Sequence, residues 1–134
     1  IYTLSLHDAL PICVSLGSVN LSASLDAQRP KDLDSNKLLP RRSQRILKLG
    51  ADTTFAGWKL GAQWQAHSHR YDDRANAKRL PGYGLLNLHA STTFAGQWEL
   101  LARIDNATNA RYETALGYPQ PARSFYLGLR WTLK

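Results

Sequence analysis

The sequence predicts an all-β fold: six antiparallel up-and-down strands that form part of the wall of a transmembrane β-barrel. Three observations predict it. Residues 44–66, QRILKLGADTTFAGWKLGAQWQA, read as a β-hairpin with both faces specified; very short connections alternate with long ones; and aromatic residues form groups at the two ends of the strands. In the hairpin, Leu47, Leu49, Ala51, Thr53 and Phe55 share one parity, and Trp58, Leu60, Ala62, Trp64 and Ala66 share the other. A two-residue turn at Ala56-Gly57 sets Phe55 opposite Trp58, Thr53 opposite Leu60, Ala51 opposite Ala62 and Leu49 opposite Trp64. Both apolar sets then lie on one face, and Lys48, Asp52, Lys59, Gln63, Gln65 and His67 on the other.

Taken in order, the chain opens with IYTLSLHDALPI, which is codon for codon the translation of a widely used sequencing adapter. Residues 1–13 are therefore set outside the fold as adapter-derived, and residues 14–134 are taken as one domain. Gly17 to Gln28 alternates Val19, Leu21, Ala23, Leu25 and Ala27 against Asn20, Ser22, Ser24, Asp26 and Gln28, which predicts the first strand. Arg29 to Ser43 is a long polar loop with two prolines. Gln44 to Phe55 and Trp58 to Tyr71 form the hairpin, and Asp72 to Gly82 is a second long polar loop. Tyr83 to Phe94 descends with Leu86, Leu88, Ala90, Thr92 and Phe94 on the apolar face and Asn87, His89 and Ser91 opposite. After a tight turn at Ala95-Gly96-Gln97, Trp98 to Asn106 ascends. Asn106 to Ala122 is loop or frayed strand, and Arg123 to Leu133 closes the sheet.

The two tight turns repeat one another as TTFAGW and TTFAGQW, bringing Phe and Trp to one end, where Trp131 also arrives; Tyr71, Tyr83, Tyr112 and Tyr118 lie at the other. Two aromatic belts separated by apolar positions over strands of about ten residues match a hydrocarbon slab crossed by tilted strands. A soluble sandwich has no reason to sort its loops by length, whereas a transmembrane barrel keeps short turns on one side of the membrane and long loops on the other.

Composition sets further bounds. The chain has 134 residues, net charge +7, one Cys and no Met. One Cys excludes an internal disulfide, and no apolar run approaches the roughly 20 residues of a membrane helix. The mean hydropathy of −0.38 does not argue for solubility, because alternating lipid-facing and water-facing residues cancel in the average. No G-x-S-x-G, H-E-x-x-H or Cys–His arrangement points to an enzyme. His67, His69 and His89 share the polar face. Pairing Tyr71 with Tyr83 would set Gln65 opposite His89 and His67 opposite Asn87; this set reads as a wet lumen lining, not a metal site. Asp52 and Glu99 lie across that face from Lys59 and Arg103 and read as lumenal ion pairs. Asp32-Leu33-Asp34-Ser35-Asn36 starts like a calcium loop, but Lys37 and Ser43 stand where Gly and Glu are required, so it reads as an Asx-rich turn. The basic excess sits in the loops. Arg29, Lys31, Lys37, Arg41 and Arg42 against Asp32 and Asp34 make the first +3, and Arg70, Arg74, Lys78 and Arg79 against Asp72 and Asp73 make the second +2. Such a rim suits the phosphates of lipopolysaccharide or an anionic ligand; no nucleic-acid-binding motif accompanies it.

DNATNARYE at 105–113, followed by GYPQPARSFYLGLRW at 117–131, resembles the carboxyl-terminal signature of TonB-dependent outer-membrane receptors: N-L-F-D-K-x-Y-E, a Gly-Tyr loop, then R-x-F-x-x-G-x-x-aromatic. Within that family LLPRRSQ at 38–44, the FAGWKLGAQWQ hairpin, RYDD at 70–73 and PGYGLLNLHAS at 81–91 are most similar to vitamin transporters for cobalamin. The resemblance covers nearly everything after Cys13. It implies a 22-stranded barrel around an amino-terminal plug, of which this chain holds the last six strands, coupled through the missing plug to the TonB complex. It also implies the outer membrane of a Gram-negative bacterium, contact with lipopolysaccharide and outer-membrane lipid, no catalysis, no cofactor, and cobalamin or another chelate as ligand. A siderophore or haem receptor is the alternative within the superfamily; a soluble β-sheet module binding anionic polymers is the alternative outside it. By the same resemblance Arg41, in the L-x-R-R entry, and Tyr71 are the candidate ligand contacts.

Overall fold

The structure, a computed structural model, describes residues 2, 3 and 11–133. Among these, one antiparallel sheet holds seven strands: β1 (Ile12–Leu16), β2 (Val19–Ala27), β3 (Arg45–Phe55), β4 (Trp58–His67), β5 (Tyr83–Phe94), β6 (Trp98–Asp105) and β7 (Ser124–Trp131). Each pairs with its sequence neighbours, giving the order β7-β6-β5-β4-β3-β2-β1. The hairpin register is the one its alternation predicts: Phe55 faces Trp58, Thr53 faces Leu60, Ala51 faces Ala62 and Leu49 faces Trp64. Ala56 and Gly57 have φ of 49° and 80°, the left-handed pair that lets a two-residue turn follow the twist of its strands.

Six strands were expected and seven are present. The additional one is β1, whose turn at Gly17-Ser18 sets Leu16 opposite Val19. It includes Ile12 and Cys13, residues set outside the fold on sequence grounds, now paired with Ala23 and Ser22. An open sheet edge accepts any extended segment of matching alternation, whatever its origin. Turns β1–β2, β3–β4 and β5–β6 gather at one end of the sheet; the loops after β2, β4 and β6 gather at the other.

The alternation leaves one face apolar, and among the described residues nothing covers it. Among the described residues, Pro30, Leu80 and Leu85 are the only buried apolar side chains, and none of them comes from the outer face, while Leu49, Phe125, Leu127 and Leu129 are 42%, 73%, 73% and 60% exposed. A soluble sandwich would bury such a face against a second sheet. Phe55, Trp58, Phe94, Trp98 and Trp131 form an aromatic band on it at the short-turn end, with Trp98 and Trp131 centroids 6.3 Å apart. The tyrosine belt expected at the long-loop end is corrected. Tyr83 pairs with His67 on the polar face, and Tyr112 stacks on Tyr83 at 4.3 Å, so these rings line the interior side.

A second correction concerns the β4–β5 register. Tyr83 faces His67, not Tyr71; Gln65 faces Leu85, Gln63 faces Asn87 and Gly61 faces His89. β4 stops at His67 because Ser68 turns the chain, its hydroxyl accepting the N–H groups of Gln44 at 3.1 Å and Arg45 at 3.0 Å. Arg70–Tyr71 then pairs with Arg79–Leu80 in a separate short ladder, and Pro81, lacking an N–H, cannot extend it.

Candidate functional site

The polar face carries a row at one height across the sheet: Asn20, Asp52, Gly61, His89, Arg103 and Tyr126 are successive register partners. His89 Nε2 lies 3.3 Å from Asp52 Oδ1, reaching over Gly61 between them. A side chain at residue 61 would collide with the imidazole and the carboxylate. Arg103 packs over the Tyr126 ring at 5.3 Å and pairs with Asp105 at 3.2 Å. Glu99 pairs with Arg130 at 2.5 Å, and Lys48 with Asp26 at 3.7 Å. The lumenal ion pairs therefore exist, but not as Asp52 or Glu99 with Lys59 or Arg103. Among the described residues no three His, Cys, Asp or Glu side chains converge as metal ligands.

The long loops lock to one another, and Arg41 and Tyr71 meet in the lock. Arg41 N–H donates to the Tyr71 carbonyl at 2.6 Å, and Arg41 Nε pairs with Asp72 Oδ1 at 2.9 Å while the Arg41 side chain stays 59% exposed. The same Asp72 oxygen accepts Leu116 N–H at 3.2 Å, so one carboxylate ties three loops. The Arg41 hydrogen bond, then the Leu116 N–H, hold the Asp72 carboxyl below its ordinary pKa. Arg41 itself has φ of 60°, a conformation that costs a non-glycine residue energy and that the surrounding contacts impose. A second tie joins Leu38 and Asn76 reciprocally: Leu38 N–H donates to Asn76 Oδ1 at 2.8 Å, and Asn76 Nδ2 donates to the Leu38 carbonyl at 2.9 Å.

Beneath the lock the rings of His67, Tyr83 and Tyr112 stack, at 4.7 Å and 4.3 Å, with the Arg70 guanidinium 5.0 Å over Tyr83. Arg70 is buried; its Nη2 donates to the Glu113 carbonyl, and its Nη1 has no hydrogen-bond partner among the described residues. The loop after β6 is held by Asn106, whose amide exchanges hydrogen bonds with Ala110 at 2.8 and 2.9 Å, and by Asn109, which accepts Arg123 N–H at 3.0 Å. Sequence reasoning missed both the Arg70–Tyr83–Tyr112 stack and the role of Asp72 in the lock; the available signal was that RYDD, PGYGLLNLHAS and DNATNARYE, which hold these residues, all carry the resemblance. The Asx-turn reading holds: Asp32 accepts the Asp34 N–H and the Ser35 hydroxyl, both at 3.1 Å, which lowers its pKa.

Residues 7–107 match the family described as TonB dependent receptor-like, beta-barrel. The vitamin B12 transporter BtuB of Vibrio cholerae serotype O1 is 30% identical over 118 residues, covering 84% of this chain and 19% of that protein. BtuB of Photobacterium profundum is 29% identical over 110 residues, covering 82% and 18%. The chain thus spans about a fifth of these relatives. Among solved structures, BauA, the ferric preacinetobactin receptor of Acinetobacter baumannii, superposes with a TM-score of 0.74 at 23% identity over 90% of this chain and 21% of that one.

Proposed function

The chain belongs to the TonB dependent receptor-like β-barrel family, and from that premise we propose that it supplies the carboxyl-terminal wall and outer rim of a receptor for energised cobalamin uptake. The family consists of transporters, not enzymes, and resides in the outer membrane of Gram-negative bacteria. The single sheet suits that setting: its bare apolar face meets lipid, and its polar face meets a water-filled or plug-filled lumen. The observation that carries the substrate is the likeness to vitamin B12 transporters over most of this chain.

In this reading the lumenal row and the lipid-facing leucines are scaffold, and the loop lock is where ligand is held. Asp72 fixes Arg41 through Nε, leaving the outer edge of an exposed guanidinium to make paired hydrogen bonds to acceptor oxygens on the ligand. Tyr71 holds the Arg41 backbone through its carbonyl. Coupling to the TonB complex would run through a plug segment outside this chain.

Equilibrium binding of labelled cobalamin to outer membranes carrying the intact receptor, normalised to receptor amount, tests this. Arg41→Ala should weaken binding by about 1–3 kcal/mol, the scale of a hydrogen bond to a charged group. Arg41→Lys should not restore it, because an ammonium lacks the planar fork. Lys48→Ala, lower on the polar face and paired with Asp26, should change it little. Parent-like affinity in Arg41→Ala removes Arg41 from the site. A parent that binds a ferric siderophore and not cobalamin removes the substrate.

A further inference from the structure

Between the loop after β2 and the loop after β4 lies a cavity of about 340 Å³. Lys37 and Arg42 enter it from the first loop and Arg74 from the second, with Asp32 the one carboxylate in its lining. Its floor is the apolar run Leu38-Leu39-Pro40. The reciprocal Leu38–Asn76 hydrogen bonds tie the two walls together, so the cavity is formed before any ligand arrives.

The other acidic groups in these loops, Asp34, Asp72 and Asp73, do not line the cavity. Asp72 is taken by Arg41 and Leu116 N–H. Asp73 accepts the N–H groups of Ala77 and Lys78 at 3.0 and 2.8 Å. Asp32 accepts Asp34 N–H and the Ser35 hydroxyl. Among the described residues, Lys37, Arg42 and Arg74 make no ion pair. Three cations against one carboxylate leave the lining at +2, a repulsive arrangement that a bound anion relieves.

The charge selects the anion. A carboxylate offsets one unit, whereas a phosphate monoester carries about −1.5 to −2 near neutral pH and offers three acceptor oxygens. Two guanidiniums present the planar forks that phosphate oxygens accept in pairs, and the ammonium adds a point charge. The volume leaves room beyond one phosphate group for a ligand body, to which Asp32 offers a hydroxyl acceptor and residues 38–40 an apolar contact. We propose that this cleft binds a phosphate monoester on a hydroxyl-bearing body, that is, a phosphorylated sugar, either free or as the headgroup of an outer-leaflet glycolipid. This site is separate from the Arg41 contact and does not depend on the cobalamin reading.

The test uses the intact receptor carrying this segment. In detergent, calorimetry compares glucosamine 1-phosphate with glucosamine; in nanodiscs, retention compares diphosphorylated lipid A with its dephosphorylated form. The phosphorylated probe should bind at least tenfold more tightly in one arm or both. Binding in the soluble arm assigns a free phosphosugar, and binding confined to nanodiscs assigns a glycolipid. The double variant Arg42→Gln/Arg74→Gln should lose tenfold or more. Asp32→Asn should tighten binding of inorganic phosphate, a gain that misfolding cannot mimic. Folded-barrel migration on unheated gels reports assembly of each variant, and cobalamin binding is read separately, so failure of one reading leaves the other legible. No preference for the phosphorylated probes, or parent-like binding by either variant, would overturn the proposal.

Discussion

Asp72 shows how much of the rim depends on single side chains. Its Oδ1 accepts from Arg41 in one loop and from Leu116 N–H in another, and these partners favour the ionised form. Because the folded pKa lies below the unfolded one, the stabilisation is fully present above the ordinary carboxylate range and is lost as pH falls through the lowered value. Spin labels at Lys37→Cys and Tyr118→Cys of the intact receptor should report one narrow distance at neutral pH that broadens only in acid. Asp72→Asn should broaden it at neutral pH, and a narrow distribution in that variant would show that the lock does not need the carboxylate. On the lumenal row, Gly61 leaves room for His89 to reach Asp52. Gly61→Ala should lower the amount of assembled receptor, and adding His89→Ala should recover part of it; no recovery would place the cost elsewhere.

At the scale of the element, the β3–β4 hairpin sorts its residues by solvent. Leu49 and Trp64 face each other on the apolar side, and Lys48 and Gln65 on the polar side. A charge on the lipid face near mid-membrane costs about 2–4 kcal/mol in barrels of this kind, more than the 0–1 kcal/mol typical of a surface ion pair such as Lys48–Asp26. Leu49→Arg should therefore reduce the yield of assembled receptor without altering the affinity of what assembles. Quantifying folded barrel in outer membranes alongside ligand binding separates the two effects, and unchanged yield would mean that Leu49 does not face lipid. The tyrosines belong to a different element of the design. The Tyr83–Tyr112 stack and the Arg70 guanidinium over it brace the loop after β6 from inside, a duty in which the ring faces and not their membrane depth count.

At the scale of the whole molecule, the described residues build a sheet with no apolar core beneath its outer face. Among the described residues the apolar side chains on its outer face have neither a second sheet nor a helix against them, and β1 and β7 each present one unpaired edge. An exposed apolar surface of this extent drives association in water, and open edges template strand pairing. Expressed by itself, the chain should sediment as aggregate in dilute buffer and become dispersed in detergent. A monomer that melts cooperatively in buffer would contradict the barrel-wall reading outright.

What the amino-acid sequence determined by itself was local. A period of two and turns of two or three residues leave one register open, which is why Leu49 against Trp64 could be written down from the residues alone. The apolar face, the sorting of loops by length and the short-turn aromatic band follow from the same spacing, while the resemblance in DNATNARYE pointed to the receptor class, and that in LLPRRSQ and RYDD to Arg41 and Tyr71. What only the tertiary structure decided lies across the long loops. A loop such as 68–82 can take up several residues of slack at little cost in closure entropy, so nothing local set His67 instead of Tyr71 against Tyr83; Ser68 capping the start of β3 did. Likewise Asp72 meets Leu116, and Arg70 meets Tyr83 and Glu113, because loops remote in sequence fold inward over the same end of the sheet. Strand periodicity constrains neighbours within a hairpin, whereas contacts between loops depend on where the whole sheet brings them.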